Sequence, residues 1–333
     1  MDMEVLRQQM AGRSARVARA CQRHSDTLLQ QYSRWQGTAA KWAAVNRSLV
    51  TNPDLLVNRD QRLIWCKVPK VASTALVHGL MRVLGRSDLI ESQARGHLHM
   101  SIRNMMPHPS PHEDLSAFTA FMAVRHPFQR ILSAYRDKLM NRWEKFQFNK
   151  FQNEYAKAII REYRRHPQSK QYEDVPTFGE FVDYLIATPV WKYNEHWLPY
   201  YLTCTPCHYR YDIIMHLDSL SQDGKYLAHV TGLHELLPRL IHATVNTSHT
   251  HSKRGKNAGK LQSTDDQAQF LTDYQVQFLE RSIQSGGTEA STESKFFSEL
   301  SMQQLMKLHS VYRIDFDMFK FDISPYDSYV THH

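Results

Sequence analysis

The sequence predicts an α/β fold in which a parallel sheet is covered by helices on both faces. Two observations carry that prediction. Residues 63–68 and 118–124 are runs of strand length that are apolar on both faces, and each leads through a proline-bearing turn into a periodic helix. Strands buried on both sides and alternating with helices are what a parallel sheet with crossover helices requires. The 333 residues, 42% of them hydrophobic and 22% charged, supply the core of one elaborated domain and exclude a disordered chain.

Taken in order, residues 1–50 are rich in Gln, Arg and Ala and read as one or two helices with a basic face, a stem-like segment ahead of a domain spanning 51–323. The domain's first unit is the strand Leu63 to Val68, ended by Pro69, and a helix in which Leu76, Leu80 and Leu84 recur every four residues before Gly85 stops it. Phe118 to Val124 is the second strand. Pro127 then opens a helix with Phe128, Ile131, Leu132, Tyr135 and Leu139 on one face. Tyr211 to Leu217 reads as a further strand. Residues 253–266, with Lys253, Arg254 and Lys256, form a polar basic loop, and the tail 324–333 is expected to fray.

A formal charge of +8 suits a protein that handles anions, and a generally basic solvated surface accounts for it equally. No stretch approaches the about 18 consecutive apolar residues of a spanning helix, and the first residues lack the apolar centre of a signal peptide, so the chain as it stands is expected to be soluble. Four cysteines, Cys21, Cys66, Cys204 and Cys207, are too few for a disulfide scaffold. The triplets Asn46-Arg47-Ser48 and Asn246-Thr247-Ser248 are glycosylation acceptors only in a secretory lumen.

The chemistry lies where each strand hands over to its helix. First-turn N–H groups lack partners inside the helix and the helix dipole adds positive charge, so an anion is the natural occupant. Pro69-Lys70-Val71-Ala72-Ser73-Thr74 adds a cation and two hydroxyls. The bland alternative is that Ser73 or Thr74 caps the helix and Lys70 is a solvated loop residue. The stretch is not a Walker loop, which needs glycines and a lysine directly before the hydroxyl, and a metal-dependent NTPase is disfavoured. In the second turn Arg125 and Ser133 suit another phosphate, Arg125 through a bidentate fork, while Arg130 and Arg136 read as solvated helix charges. Ligands of such sheets bind beyond the carboxyl ends of the strands, which puts Lys70 and Arg125 at one rim.

These motifs resemble those of the Golgi carbohydrate sulfotransferases of the HNK-1, chondroitin and dermatan 4-O type. Cys66 to Thr74 matches that family's 5′-phosphosulfate motif and Met122 to Lys138 its 3′-phosphate motif. Tyr193-Asn194-Glu195-His196-Trp197, then Cys204, Pro206, Cys207 and Tyr211-Asp212, look like its central block; Phe296-Phe297, Tyr312, Asp315-Phe316 and Phe319 look like its closing pattern. The resemblance implies a P-loop-like α/β domain that transfers a sulfuryl group from 3′-phosphoadenosine 5′-phosphosulfate to a glycan hydroxyl, without a metal. It also implies a Golgi membrane protein with a lumenal catalytic domain, whose partner is a glycan, including anionic glycosaminoglycans, rather than nucleic acid. By this resemblance Pro69, Lys70, Val71, Ala72, Ser73, Thr74 and Ala75 cradle the 5′-phosphosulfate, with Lys70 at the bridging oxygen. Arg125, His126, Pro127, Phe128, Gln129, Arg130, Ile131, Leu132 and Ser133 form the 3′-phosphate segment. Two departures stand out: Ala75, Leu76 and Val77 replace the family's usual Asn or Ser, Trp and Lys, which leaves the acceptor side open, and Gln129 replaces the usual Glu.

The acceptor hydroxyl needs a base. His97 and His99 in RGHLHM, between the two cofactor motifs, are the first candidates; His112-Glu113 and Glu195-His196 follow. For Cys204 and Cys207 the choice is between a turn-closing disulfide and two buried thiols, and a lumenal site favours the disulfide. Cys204-Thr205-Pro206-Cys207-His208 also fits C-x-x-C-H, the attachment signature of c-type haem. A non-catalytic domain of the same fold that binds anionic glycans is the alternative to an enzyme.

Overall fold

The computed structural model describes residues 2–39, 55–93, 95–110, 113–142, 145–167, 172–236 and 290–330. Its elements begin with α1 (Met3–Arg23) and α2 (Ser25–Ala39), followed by β1 (Leu55–Asn58), β2 (Leu63–Cys66), α3 (Ser73–Val83), α4 (Ser87–Ser92), α5 (Arg95–Met105), β3 (Thr119–Val124) and α6 (Pro127–Tyr135). A run of helices including Phe178–Ala187 and Tyr200–Thr203 leads to β4 (Ile213–His216) and the helix Leu220–Thr231; Ala290–Phe297, Met302–Phe319 and Ser324–Asp327 close the chain.

The strands lie in the order β1-β2-β3-β4. Ile64 pairs with Ala120 and Met122 with Ile214 in parallel ladders, as the alternating pattern requires. The edge pair differs: β1 runs antiparallel to β2, with Leu56 opposite Trp65. Only residues 59–62 connect them, too few for a crossover, and the Asn58 side chain accepts the Gln61 N–H at 3.1 Å to close the hairpin. Both faces of the sheet are covered, and Leu63, Trp65, Cys66, Phe121, Met122 and Val124 are all wholly buried. α3 packs so closely on the turn His234–Leu236 that a Cβ at Gly79 would stand 3.0 Å from Leu236 Cδ2 and 3.3 Å from its Cα. Among the described residues no helix is long and apolar enough to cross a membrane.

Two segments expected at the periphery are parts of the core. Leu6, Met10, Val17 and Ala20 bury one stripe of α1. Arg13, on the helix read as stem-like with a basic face, turns inward and donates to Asp223 Oδ2 at 2.7 Å and to the Ile214 carbonyl at 2.6 Å. α1 is thus docked on β4 rather than standing off as a stem, because burying a 21-residue amphipathic helix removes its apolar stripe from water. The tail is likewise ordered as far as 330: Tyr326 and Val330 are buried, and the Tyr326 ring packs on Phe128 and Phe297.

The cysteine pairing also departs from expectation. Cys204 bonds to Cys66 at the end of β2, and Cys207 bonds to Cys21 of α1. The turn after Tyr200–Thr203 sends Cys204 inward, fully buried, and leaves Cys207 partly exposed towards α1, so the two sulfurs face different partners instead of each other. Both thiols are consumed in disulfides, which removes the free thiols that the covalent attachment in the C-x-x-C-H reading needs. Asn46, Asn246, His112 and the basic loop at Lys253, Arg254 and Lys256 lie outside the described residues.

The Cys66–Cys204 bridge closes a separation of 138 residues and ties β2 to the segment beyond α6. Removing it by the double substitution Cys66→Ser/Cys204→Ser is expected to lower unfolding free energy by about 2–4 kcal/mol in urea titrations. A loss below about 1 kcal/mol would mean that packing alone holds the two segments together.

Candidate functional site

The turn after β2 is built unlike an ordinary helix start. Lys70 (φ +70°) and Ala72 (φ +60°) occupy the left-handed region although neither is glycine, at a cost of about 1–2 kcal/mol each. α3 begins at Ser73, with Ala72 in the N-cap position and no side chain capping the first turn. The capping alternative for Ser73 and Thr74 therefore falls away. Backbone that alternates between right- and left-handed conformations collects N–H groups into a concavity suited to an anion. Lys70, Ala72, Ser73 and Thr74 are partly exposed along it, while Pro69, Val71 and Ala75 are buried beneath.

Charged groups converge on this turn. Lys70 Nζ lies 3.2 Å from Asp137 Oδ2, and Lys138 Nζ lies 3.2 Å from the same oxygen. Asp137 is carried by a π-helical turn, Arg136–Met140, that continues α6. One extra residue in a helical turn rotates the side chains that follow, a device common at functional sites. His196 is next to the cluster: burial, reinforced by Lys138 and Lys70, holds its imidazole well below the usual range and therefore neutral. Its Nδ1 is 2.6 Å from Asn194 Oδ1.

α5 runs past the turn, anchored by buried Leu98 and Ile102. It brings His99 Nε2 to 3.3 Å from Thr74 Oγ1. His97, two residues earlier, is exposed. Of the candidate bases among the described residues, His99 is the one with a hydrogen bond to the hydroxyl-bearing turn. Arg103 of the same helix donates to Glu195 Oε2 at 3.5 Å, linking α5 to the segment that bears His196.

The second turn divides the segment 125–133 by role. Arg125 is buried, and the Tyr200 hydroxyl clasps its backbone, accepting from its N–H and donating to its carbonyl, each at 2.8 Å. The Ser133 hydroxyl is buried without a hydrogen-bond partner among the described residues. A polar atom left unsatisfied in this way costs about 1–3 kcal/mol until a ligand or water meets it. Arg130 is not a solvated charge: it is 1% exposed and donates to the carbonyls of Pro69 (3.1 Å), Leu198 (2.7 Å) and Glu195 (3.1 Å). Pro127, Phe128, Ile131 and Leu132 are core residues. His126 caps α6, its Nδ1 accepting the Phe128 N–H at 3.2 Å and its Nε2 donating to the Asp322 carbonyl at 2.9 Å, with its ring packed among Phe128, Phe316, Phe321 and Tyr326.

Lys70 and Arg125 thus stand at one rim, beyond the carboxyl ends of adjacent parallel strands. A cavity of about 530 Å³ opens at the opposite edge, beside Ile64, Ala120 and Asp212, and includes none of these rim residues. The pairing of Lys70 with Asp137 and the backbone role of Arg130 escape a reading of the sequence, since no local pattern reports a contact across 60 residues or more.

The sequence model of the Sulfotransferase family matches residues 53–322. The chain is 29% identical over 283 residues to carbohydrate sulfotransferase 11 of Rattus norvegicus, covering 82% of this chain and 68% of that protein. It is 34% identical over 185 residues to carbohydrate sulfotransferase 14 of Danio rerio (54% and 48% of the two chains), and 29% identical over 199 residues to carbohydrate sulfotransferase 10 of Xenopus laevis (55% and 54%). No solved structure matches significantly.

Burial, with Arg125 and His309 adding to it against the opposing Asp322, lowers the His126 pKa from 6.5 to about 4. The unfolded chain then takes up a proton that the folded chain refuses, so stability is lost as pH falls below 6.5 towards 4. At about pH 5 this group alone removes about 2 kcal/mol. His126→Asn, which keeps an acceptor for the Phe128 N–H, is expected to flatten the fall in melting temperature between neutral and mildly acidic buffer; an unchanged slope would show that His126 does not titrate in that window.

Proposed function

The chain belongs to the sulfotransferase family, and from that premise we propose that it is a carbohydrate O-sulfotransferase that moves a sulfuryl group from 3′-phosphoadenosine 5′-phosphosulfate to a glycan hydroxyl. The observation that carries the reading is the uncapped, left-handed turn at Lys70–Thr74 sharing one rim with Arg125. The orphaned Ser133 hydroxyl supports it as well, since a phosphate oxygen is the acceptor it lacks. The glycan acceptor follows from the relatives, all of which are named carbohydrate sulfotransferases. We assign the domain to the lumen of the Golgi, and its two disulfides suit an oxidising secretory compartment.

In this reading the N–H groups of the first turn, Ser73 and Thr74 would hold the 5′-phosphosulfate, and Arg125 and Ser133 the 3′-phosphate. Sulfuryl transfer resembles phosphoryl transfer in its loose in-line transition state, so the protein's work is alignment and neutralisation of departing charge. The acceptor oxygen bonds to sulfur as the bond from sulfur to the bridging oxygen breaks, the acceptor proton passes to His99, and adenosine 3′,5′-bisphosphate leaves. Lys70 would meet the charge that develops on the bridging oxygen, exchanging Asp137 for it. His99, 3.3 Å from Thr74 Oγ1, lies beside the phosphosulfate cradle, where an acceptor hydroxyl would approach.

Transfer of labelled sulfate to desulfated chondroitin, desulfated dermatan and glucuronyl-terminated glycans tests the proposal. Lys70→Ala and His99→Ala are each expected to lower kcat about 100-fold or more, while His97→Ala leaves it unchanged. Absence of transfer to every acceptor, with donor-nucleotide binding intact, would overturn the enzyme reading in favour of glycan binding alone.

A further inference from the structure

Arg125 is held by a relay that starts at Gln129, inside the second motif, and continues to Glu293 and Tyr326 outside it. Its Nε donates to Gln129 Oε1 at 3.4 Å, Gln129 Nε2 donates to Glu293 Oε1 at 2.9 Å, and the Tyr326 hydroxyl donates to Glu293 Oε2 at 2.7 Å. Glu293 is 6% exposed and Tyr326 2%. One buried carboxylate, from the helix Ala290–Phe297, therefore joins α6 to the C-terminal turn. A side-chain amide presents a carbonyl on one side and an NH₂ group on the other. Fixing the NH₂ group of Gln129 on Glu293 leaves its carbonyl aimed at the guanidinium. Through this amide Glu293 orients the cation at Nε. Tyr326, packed against Phe128 and Phe297, holds the far oxygen of Glu293 and so resists rotation of that carboxylate.

We propose that Glu293 is a positioning residue for recognition of the nucleotide's 3′-phosphate, orienting Arg125 through Gln129 and linking that orientation, through Tyr326, to docking of the C-terminal turn. The proposal rests on the reading of Arg125 as the ligand of the 3′-phosphate. It makes Gln129 and Glu293 a matched pair: a carboxylate at both positions would bring two like charges to hydrogen-bond distance in a buried site.

Calorimetric binding of adenosine 3′,5′-bisphosphate and adenosine 5′-monophosphate to the full chain separates this role from simple packing. The unaltered protein is expected to favour the bisphosphate. Glu293→Gln, nearly isosteric, should reduce that preference about tenfold, the size of one misaligned charge-assisted hydrogen bond, with monophosphate affinity unchanged. The exchanged pair Gln129→Glu/Glu293→Gln keeps one carboxylate against one amide and is expected to restore the preference to within about threefold; it also carries the test should Glu293→Gln fold poorly. A preference that survives Glu293→Gln, an equal loss for both nucleotides, or no recovery in the exchanged pair overturns the relay. Equal binding of the two nucleotides by the unaltered protein overturns the reading of Arg125 itself, and the relay with it.

Discussion

The rim of this sheet depends on one buried guanidinium. β2 and β3 end at Cys66 and Val124, and beyond them the backbone has no ladder to satisfy it. Arg130 supplies the missing donors to Pro69, Glu195 and Leu198 and lies 4.7 Å from the centre of the Tyr200 ring. Burying an unpaired cation would be prohibitive; three carbonyls and an aromatic face offset that cost, and the fixed fork of the guanidinium sets the spacing of the segments it joins. Tyr200 extends the same device. Asp315 accepts the N–H groups of Tyr200 and Tyr201 at 2.8 and 3.1 Å, and the Tyr200 hydroxyl grips Arg125. Side chains that bond to backbone, rather than the sheet itself, hold the two turns in register.

Local unfavourable terms gather where the chemistry is assigned. Lys70 and Ala72 adopt backbone angles that L-residues avoid, Lys70 and Lys138 crowd a single carboxylate, and the buried hydroxyl of Ser133 lacks a partner among the described residues. Each costs free energy in the protein alone; a bound anion would meet the lysine charge and the Ser133 hydroxyl, and would offset the backbone strain without removing it. Such costs persist only where the surroundings enforce them, here the wholly buried strands and the Arg130 anchor.

The strands, the two turns that follow them and the helix face from Phe128 to Leu139 were legible because each is written in consecutive residues. A run of strand length, a proline and a periodic helix need no knowledge of what lies across the fold. The antiparallel edge strand Leu55–Asn58 went unread because four residues carry too little period. Arg130 was misread for a different reason: an arginine on a helix is ordinarily solvated, and only the carbonyls of Pro69, Glu195 and Leu198 turn it inward. The cysteines failed in the same way, since proximity in sequence favoured Cys204 with Cys207 while the turn between them points their sulfurs apart. Glu293 and Tyr326 sit so far along the chain from Arg125 that no motif could connect them.

The two disulfides are nested: the ring closed by Cys66 and Cys204 lies inside the ring closed by Cys21 and Cys207. For a chain made from its N-terminus, this arrangement sets the order in which the cysteines appear. Cys21 and then Cys66 emerge long before either correct partner exists, and an early bond between them would have to be broken again by thiol exchange. The inner partner, Cys204, then appears three residues ahead of the outer one, Cys207. Closing either bridge shortens the path along which the other must close, because the chain from Cys21 to Cys207 can then run through the Cys66–Cys204 bond; the strand that leads into the Lys70 turn and the helix docked over it are therefore fastened cooperatively.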